Sequence, residues 1–192
     1  SADRAANDVT TAEASGSGYY VVLFQGRGTN DYNTVSVRHI LIQAVDADED
    51  GAYSDEEKAA AKERIEAIYD EWKQGDMTED SFAQLANDKS EDTGSNTNGG
   101  LYKQVYKGQM VSEFNDWCFD ESRKAGDTGI VANDATGGSY IGYHVMYFVG
   151  TDDPYWMVQV RNAMTNKAYS EWSANLVKDI TATENSGMKY VG

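Results

Sequence analysis

Apolar residues follow two different periods along this chain, and the changes of period divide it into elements. Residues 18–24 (GYYVVLF) are dense in β-branched and aromatic side chains and read as a strand. A glycine-containing stretch leads into residues 35–43 (VSVRHILIQ), a second strand. From Asp55 to Gln74 the apolar positions Ala61, Ile65, Ile68, Tyr69 and Trp72 recur three or four apart. That spacing lines one face of a helix, and Gly75 ends it. Phe82, Leu85 and Ala86 mark a shorter helix, residues 90–100 (SEDTGSNTNGG) a polar loop, and Leu101–Val105 a short strand. Ser112 is placed to cap a helix carrying Phe114, Trp117 and Cys118, with Gly126 as its left-handed stop. Residues 128–132 and 140–149 read as two strands joined by the turn NDATGG. Met164, Ala168, Tyr169, Trp172, Leu176 and Ile180 form a last helical stripe, expected to dock on something beyond the unit before it.

One internal similarity cuts across this division. GYYVVLFQG followed by DYNTVSVR resembles GYHVMYFVG followed by DPYWMVQVR, over residues 18–38 and 142–161. Either the segment is duplicated, or two β-rich stretches share a composition. Tyr20 stands where the second copy has His144, so a related first copy would be structural only.

Composition narrows the function classes. A chain of 192 residues that is 40% hydrophobic and 25% charged can bury a core, and one compact domain with appended segments is expected. Lysine and arginine number 16 against 32 acidic residues, a net charge of −16. That charge disfavours nucleic acid and anionic membrane surfaces, and suits basic or neutral polypeptides. No apolar run approaches the roughly 18 residues of a membrane span, and SADRAANDV lacks the basic and apolar regions of a signal peptide. A targeting segment is therefore expected to lie outside this sequence. The single cysteine, Cys118, excludes an internal disulfide framework, and beside Phe114 and Trp117 it reads as a buried, inert thiol. So little cysteine suits an exported protein.

VRHILI, SFAQLANDKSED, NGGLY, YKGQMVSEF and GYHVMYFVG, in that order over about 115 residues, resemble the successive signature segments of bacterial parvulins. The flanks, including RNAMTNKAYSEW, resemble the chaperone-lobe segments of exported PrsA-type foldases. The resemblance implies an α+β parvulin fold, a four-stranded antiparallel sheet surrounded by about four helices, with an extra N-terminal strand and C-terminal helix. It divides the chain into a flanking segment at 1–33, an isomerase domain at 34–150 and a helical segment at 151–192. The implied activity is peptidyl-prolyl cis/trans isomerisation, assisting unfolded or nascent exported polypeptides at their Xaa-Pro bonds. No cofactor is required for it. The implied setting is extracytoplasmic, at the cell surface through an upstream anchor.

What the resemblance implies for the site can be followed residue by residue. His39 and His144, the only histidines, occupy the two family histidine positions, and Asp92 stands where the family carries cysteine or aspartate. Leu101, Met110 and Phe114 match the positions of the proline pocket. Ile141 is a departure, since some parvulins have there a serine or threonine bonded to the histidines. Phosphate-directed members carry a basic cluster after the first strand. Here Asp46, Asp48, Glu49, Asp50, Asp55, Glu56 and Glu57 present the opposite charge, so a plain or basic Xaa-Pro substrate is expected.

The acidic loop has a second reading, from spacing alone. Asp46, Asp48 and Asp50 fall at positions one, three and five of a twelve-residue calcium loop, Gly51 at six, the Ala52 carbonyl at seven and Glu57 at twelve. Ser54 and Glu57 equally spell a capping box opening the following helix. A structural calcium ion and a merely solvated loop both remain open at this point.

Overall fold

The structure, a computed structural model, describes residues 3–14, 18–28, 30–133 and 140–180. The chain forms two compact units, Ser1–Asp31 and Tyr32–Gly192. The first is a hairpin of β1 (Val9–Ala14) and β2 (Gly18–Leu23), antiparallel from Val9↔Leu23 to Ala14↔Gly18. Backbone bonds between Asn7 and Phe24 and between Phe24 and Asp8 continue the ladder. β1 is absent from the sequence reading because VTTAEA has no apolar alternation. Pairing with β2 makes it a strand.

The second unit runs β3 (Asn33–Gln43), α1 (Asp55–Gln74), α2 (Glu79–Lys89), β4 (Leu101–Val105), α3 (Ser112–Cys118), β5 (Thr128–Asn133), β6 (Gly142–Pro154) and α4 (Tyr155–Val177). Its sheet has the order β4-β3-β6-β5, every pair antiparallel. This is the expected α+β architecture of a four-stranded sheet with four helices.

Local chemistry sets most boundaries. α1 starts at a full capping box, Ser54 with Glu57, and places Asp55, Glu56 and Glu57 at the positive end of its dipole. α2 repeats the device with Thr78 and Ser81. α3 departs from expectation at both ends. Ser112 is its first residue, the cap position is Val111 with no side-chain bond, and the helix stops at Cys118. Gly126, with φ +90°, instead forms the turn before β5, where its N–H donates to the Phe148 carbonyl at 2.9 Å. β6 starts two residues later than residue 140 and runs five beyond 149. All but the first residue of NDATGG lies outside the described residues. The two similar segments end in different structures. DYNTVSVR leads into β3, whereas DPYWMVQVR leaves β6 and becomes the start of α4.

Alternation along β3 and β6 gives the sheet two unlike faces. Ile40, Ile42 and Val145 pack with Ala61, Ile65, Trp72, Phe82 and Ala86 of α1 and α2. Val35, Val37, Met146 and Phe148 pack with Val105, Val131, and with Phe114 and Cys118 of α3. α4 is fixed at its entry, where Tyr155 stacks on Tyr32 at 5.4 Å and on Tyr106 at 4.8 Å, and Val158 is buried. Further along, Met164, Tyr169, Trp172, Leu176 and Ile180 are exposed. No helix among the described residues is long and apolar enough to cross a membrane.

The loop from α2 to β4 crosses β3 at its closest at Gly100. With φ +69°, a Cβ there would stand 2.1 Å from the His39 carbonyl oxygen. Gly100→Ala is expected to cost more than about 3 kcal/mol, because backbone must move against backbone. Gly108 also has positive φ, at +83°, but faces open space. Gly108→Ala should therefore cost only about 1–2 kcal/mol of left-handed strain. Urea midpoints of the two variants measure the difference.

Candidate active site

The site is built on the sheet face that carries α3. In the β3·β6 register His39 faces Met146 and Leu41 faces His144, so the histidines are diagonal neighbours on one face. Both are buried, at 3% and 2% exposure. Residues 90–100 are bonded to the free edge of β3. Ser90 Oγ accepts from Leu41 N at 3.1 Å, Glu91 N donates to Leu41 O at 2.9 Å, and Gly100 O accepts from His39 N at 2.9 Å. Arg38 holds the end of this loop, donating to the Asn98 and Gly99 carbonyls and to Glu79.

That attachment brings Asp92 to the histidines. Its Oδ2 lies 2.8 Å from His39 Nε2 and accepts from Ser95 Oγ at 2.5 Å and from the Tyr102 hydroxyl at 3.0 Å. Its Oδ1 accepts from Gly94 N at 3.0 Å, so the Asx-turn and the site contact coexist. His39 Nδ1 is 2.9 Å from His144 Nδ1, and His144 Nε2 is 3.1 Å from the Tyr140 hydroxyl. The bond to His39, then those to Ser95 and Gly94, hold the Asp92 carboxyl well below the usual carboxylate range, against the opposing effect of burial. Burial, then the neighbouring His39, pushes His144 down to about 3, with Asp92 pulling the other way.

These partners set a direction for the protons. An ionised Asp92 only accepts, so His39 Nε2 carries hydrogen toward it. In the tautomer with both rings neutral, His39 Nδ1 accepts from His144 Nδ1–H, and His144 Nε2 accepts from Tyr140. The tautomers follow from the bonding pattern. With four donors on its two oxygens, Asp92 is an electrostatic anchor and is not free to act as a nucleophile.

Beside this chain lies a cavity of about 280 Å³ lined by His39, Leu41, Asp92, Tyr102, Gln109, Met110, Val111, Phe114, Tyr140 and His144. Phe114 stands edge-on to both imidazoles, 5.5 Å from each. A recess of similar size between α1 and α2, lined by Trp72, Leu85, Glu71, Asp76 and Asp88 among others, holds none of these groups.

His39, Asp92 and His144 therefore meet, and Met110 and Phe114 wall the cavity beside them. Leu101 is not among the lining residues. It pairs with Arg38 and shares that residue's face of the sheet, whereas Tyr102 turns toward the histidines and Leu41 supplies the aliphatic wall. At the departure Ile141 no hydroxyl faces the histidines. Ile141 packs on the α1/α2 core, and hydroxyls come from Ser95, Tyr102 and Tyr140. Strand parity could have found Leu41 and Tyr102. Nothing local marks Tyr140, which lies outside β6.

In the acidic loop, oxygens of Asp46, Asp48 and Asp50 lie within 4.8 Å of one another, without Glu57. Glu57 accepts from Ala47 N at 2.5 Å and from Ser54 N at 2.9 Å, and these bonds lower its pKa. Asp46 accepts from Asp50 N and Gly51 N, and Asp50 accepts from Ala52 N. The capping box is formed, and carboxylates of the twelve-residue pattern hold the loop's own backbone. Cys118 is buried, which pushes its thiol up to about 12 and makes it inert.

A family model described as the PPIC-type PPIASE domain matches residues 20–148. The chain belongs to that family, a class of peptidyl-prolyl isomerases. Solved structures similar to it include the peptidylprolyl isomerase PrsA from Bacillus cereus, 22% identical, covering 81% of this chain and 54% of that one at a TM-score of 0.44. PrsA from Bacillus anthracis is 22% identical, over 82% of this chain and 64% of that one, with a TM-score of 0.43. The foldase protein PrsA from Streptococcus pneumoniae is 18% identical, over 65% and 38%, at 0.42. The chain thus spans about half to two thirds of the two Bacillus proteins. None of the curated proteins matches it.

The depressed pKa values make stability fall in acid. His144 is neutral when folded down to about pH 3, whereas an unfolded histidine takes up its proton near 6.5. Its contribution is complete above about pH 6.5 and declines steadily as pH drops toward 3. Asp92 adds a loss that begins near pH 4 and continues as pH falls through its lower folded value. The melting temperature should fall from pH 7 to pH 4, and His144→Gln should flatten that slope. An unchanged slope in the variant would show that His144 does not titrate as a buried neutral ring.

Proposed function

We propose that this protein accelerates cis/trans exchange at Xaa-Pro bonds of unfolded extracytoplasmic polypeptides without requiring a phosphorylated residue. One observation carries the reading: an apolar wall of Leu41, Met110, Val111 and Phe114 stands against a fully bonded Asp92–His39–His144 chain.

Rotation about the bond faces a barrier of about 20 kcal/mol because amide resonance is lost in the twisted state. No bond has to break. The protein need only bind the twisted amide better than either planar form. The twisted form is less polar than the planar amide, so a dry pocket favours it. Phe114 and Met110 hold the ring, and Asp92 and the histidines fix the polarity of the floor. The exposed carboxylates of residues 46–57 disfavour a phosphorylated residue before proline and suit a basic one. The buried Cys118 and acidic surface support an extracytoplasmic setting.

A second reading, a weakly catalytic holdase, draws on the exposed apolar side chains of α4. Exchange NMR on short Xaa-Pro peptides separates the two. Asp92→Ala, His144→Ala and Met110→Ala should each lower kcat/KM at least about tenfold, or about 1.4 kcal/mol. Leu101→Ala should leave it near wild type, and phosphorylating the residue before proline should bring no gain. Wild-type exchange equal to buffer at high protein concentration leaves the holdase.

A further inference from the structure

The proton chain ends at a group that the isomerase reading does not use. Tyr140 lines the cavity, and its carbonyl and that of the next residue are both held. Asn133 Nδ2 donates to the Tyr140 carbonyl at 3.1 Å, and Ala44 N donates to the Ile141 carbonyl at 2.8 Å. Asn133 is itself buried at 2% exposure, so this anchor is rigid. The ring meets His144 edge-on, with centroids 6.0 Å apart.

Direction along the chain decides what the hydroxyl offers. Asp92 draws a His39 hydrogen to Nε2, and in the tautomer with His39 neutral its Nδ1 accepts from His144, so that His144 Nε2 needs a donor. Only the Tyr140 O–H meets it, at 3.1 Å. The hydrogen then points to His144, and the phenol oxygen, beside the Asn133 side chain, keeps acceptor capacity on its cavity side. Burial, then the Asp92 charge, raises the hydroxyl's pKa against the effect of Asn133, which keeps it protonated at neutral pH.

The other acceptor oxygens beside the cavity are engaged or buried. Asp92 takes four donors, Ser95 is fully buried, and Gln109 Oε1 accepts from Tyr106 N. The Tyr102 hydroxyl donates to Asp92 and is walled in by the loop, lying 3.2 Å from where a Cβ on Gly94 would stand.

A peptide entering this cavity has no N–H at its proline, and its nearest hydrogen donors are the backbone N–H groups on either side. We propose that Tyr140 is a substrate-binding residue, its phenol oxygen accepting one of the backbone N–H groups that flank the proline. The proposal rests on the isomerase reading and adds a polar contact that orients the chain while the ring is held by Met110 and Phe114. Imidazoles and carboxylate then act on the substrate through Tyr140 as well as through the pocket floor.

The test is a cycle between enzyme and substrate, using wild type and Tyr140→Phe. The substrates are one Xaa-Pro peptide and two analogues in which an ester replaces the amide just before or just after the Xaa-Pro unit. Each ester deletes one flanking N–H and leaves the Xaa-Pro bond intact. Wild type is expected to lose about tenfold in kcat/KM with one of the two esters, the size of one hydrogen bond to a buried acceptor. Tyr140→Phe should lose about tenfold with the amide and nothing further with that ester. Which ester behaves so identifies the N–H. Equal ester losses in both enzymes, for both esters, overturn the proposal and leave Tyr140 as support for His144. If Tyr140→Phe is too slow to follow, the same cycle is read in peptide Kd from chemical-shift titration. Wild-type inactivity on every peptide overturns the proposed function and this contact with it, whereas wild-type activity with equal losses removes the contact alone.

Discussion

β3 and β6 pair antiparallel, and past two irregularities near the start of β3 they keep one register from Val37↔Phe148 to Gln43↔Gly142, on which the site depends. Because side chains alternate, a slip of one residue between the two strands would put His39 and His144 on opposite faces and turn the apolar residues of the slipped strand out of the core they pack in. Each face is therefore a vote for the same register. Ile40, Ile42 and Val145 are almost fully buried on one side, and Val37 and Met146 on the other. Gly142 adds a steric lock, since a Cβ there would stand 2.6 Å from the Ile42 carbonyl oxygen. The catalytic geometry is thus held by ordinary core packing on both sides of the sheet.

Two imidazoles buried in that packing would destabilise the fold if any ring nitrogen lacked a partner. All four have one, and among the described residues no buried side-chain nitrogen or oxygen is left without a hydrogen bond. The chain from Tyr140 through His144 and His39 to Asp92 is saturated at both ends. Such networks hold one arrangement because a partial one leaves a polar group unpaired in a poorly screened place. In this protein the arrangement also settles which hydrogen faces which atom, and so the polarity the cavity presents.

α1 and α2 were legible in the sequence because local signals agree: capping residues, a 3.6-residue apolar period and a clear stop. α3 was legible as a helix but not at its ends, since its first residue, Ser112, looks like a cap, and it stops at Cys118, where Phe119 N donates to Asn115 O, well before Gly126. β1 needed its partner strand to exist at all. In the site, His39, Asp92 and His144 were legible through their motifs, and Met110 and Phe114 with them. Leu101 was misplaced by one residue because a five-residue strand, LYKQV, does not declare which parity faces the core. Tyr140 and Ser95 carried no signal, since a hydroxyl becomes part of a proton chain only when folding brings its acceptor within reach.

The passage of the loop past His39 has an evolutionary consequence. Every amino-acid replacement of glycine adds a Cβ, and at position 100 that atom would fall on the strand backbone. No point mutation there can be nearly neutral, so no gradual path leads through it. Neighbouring positions such as Gly94, where an added Cβ would meet only the ends of the Tyr102 and Asp92 side chains, leave room for drift. Variation in the site's surroundings can accumulate around the crossing point, while the crossing itself stays closed to change.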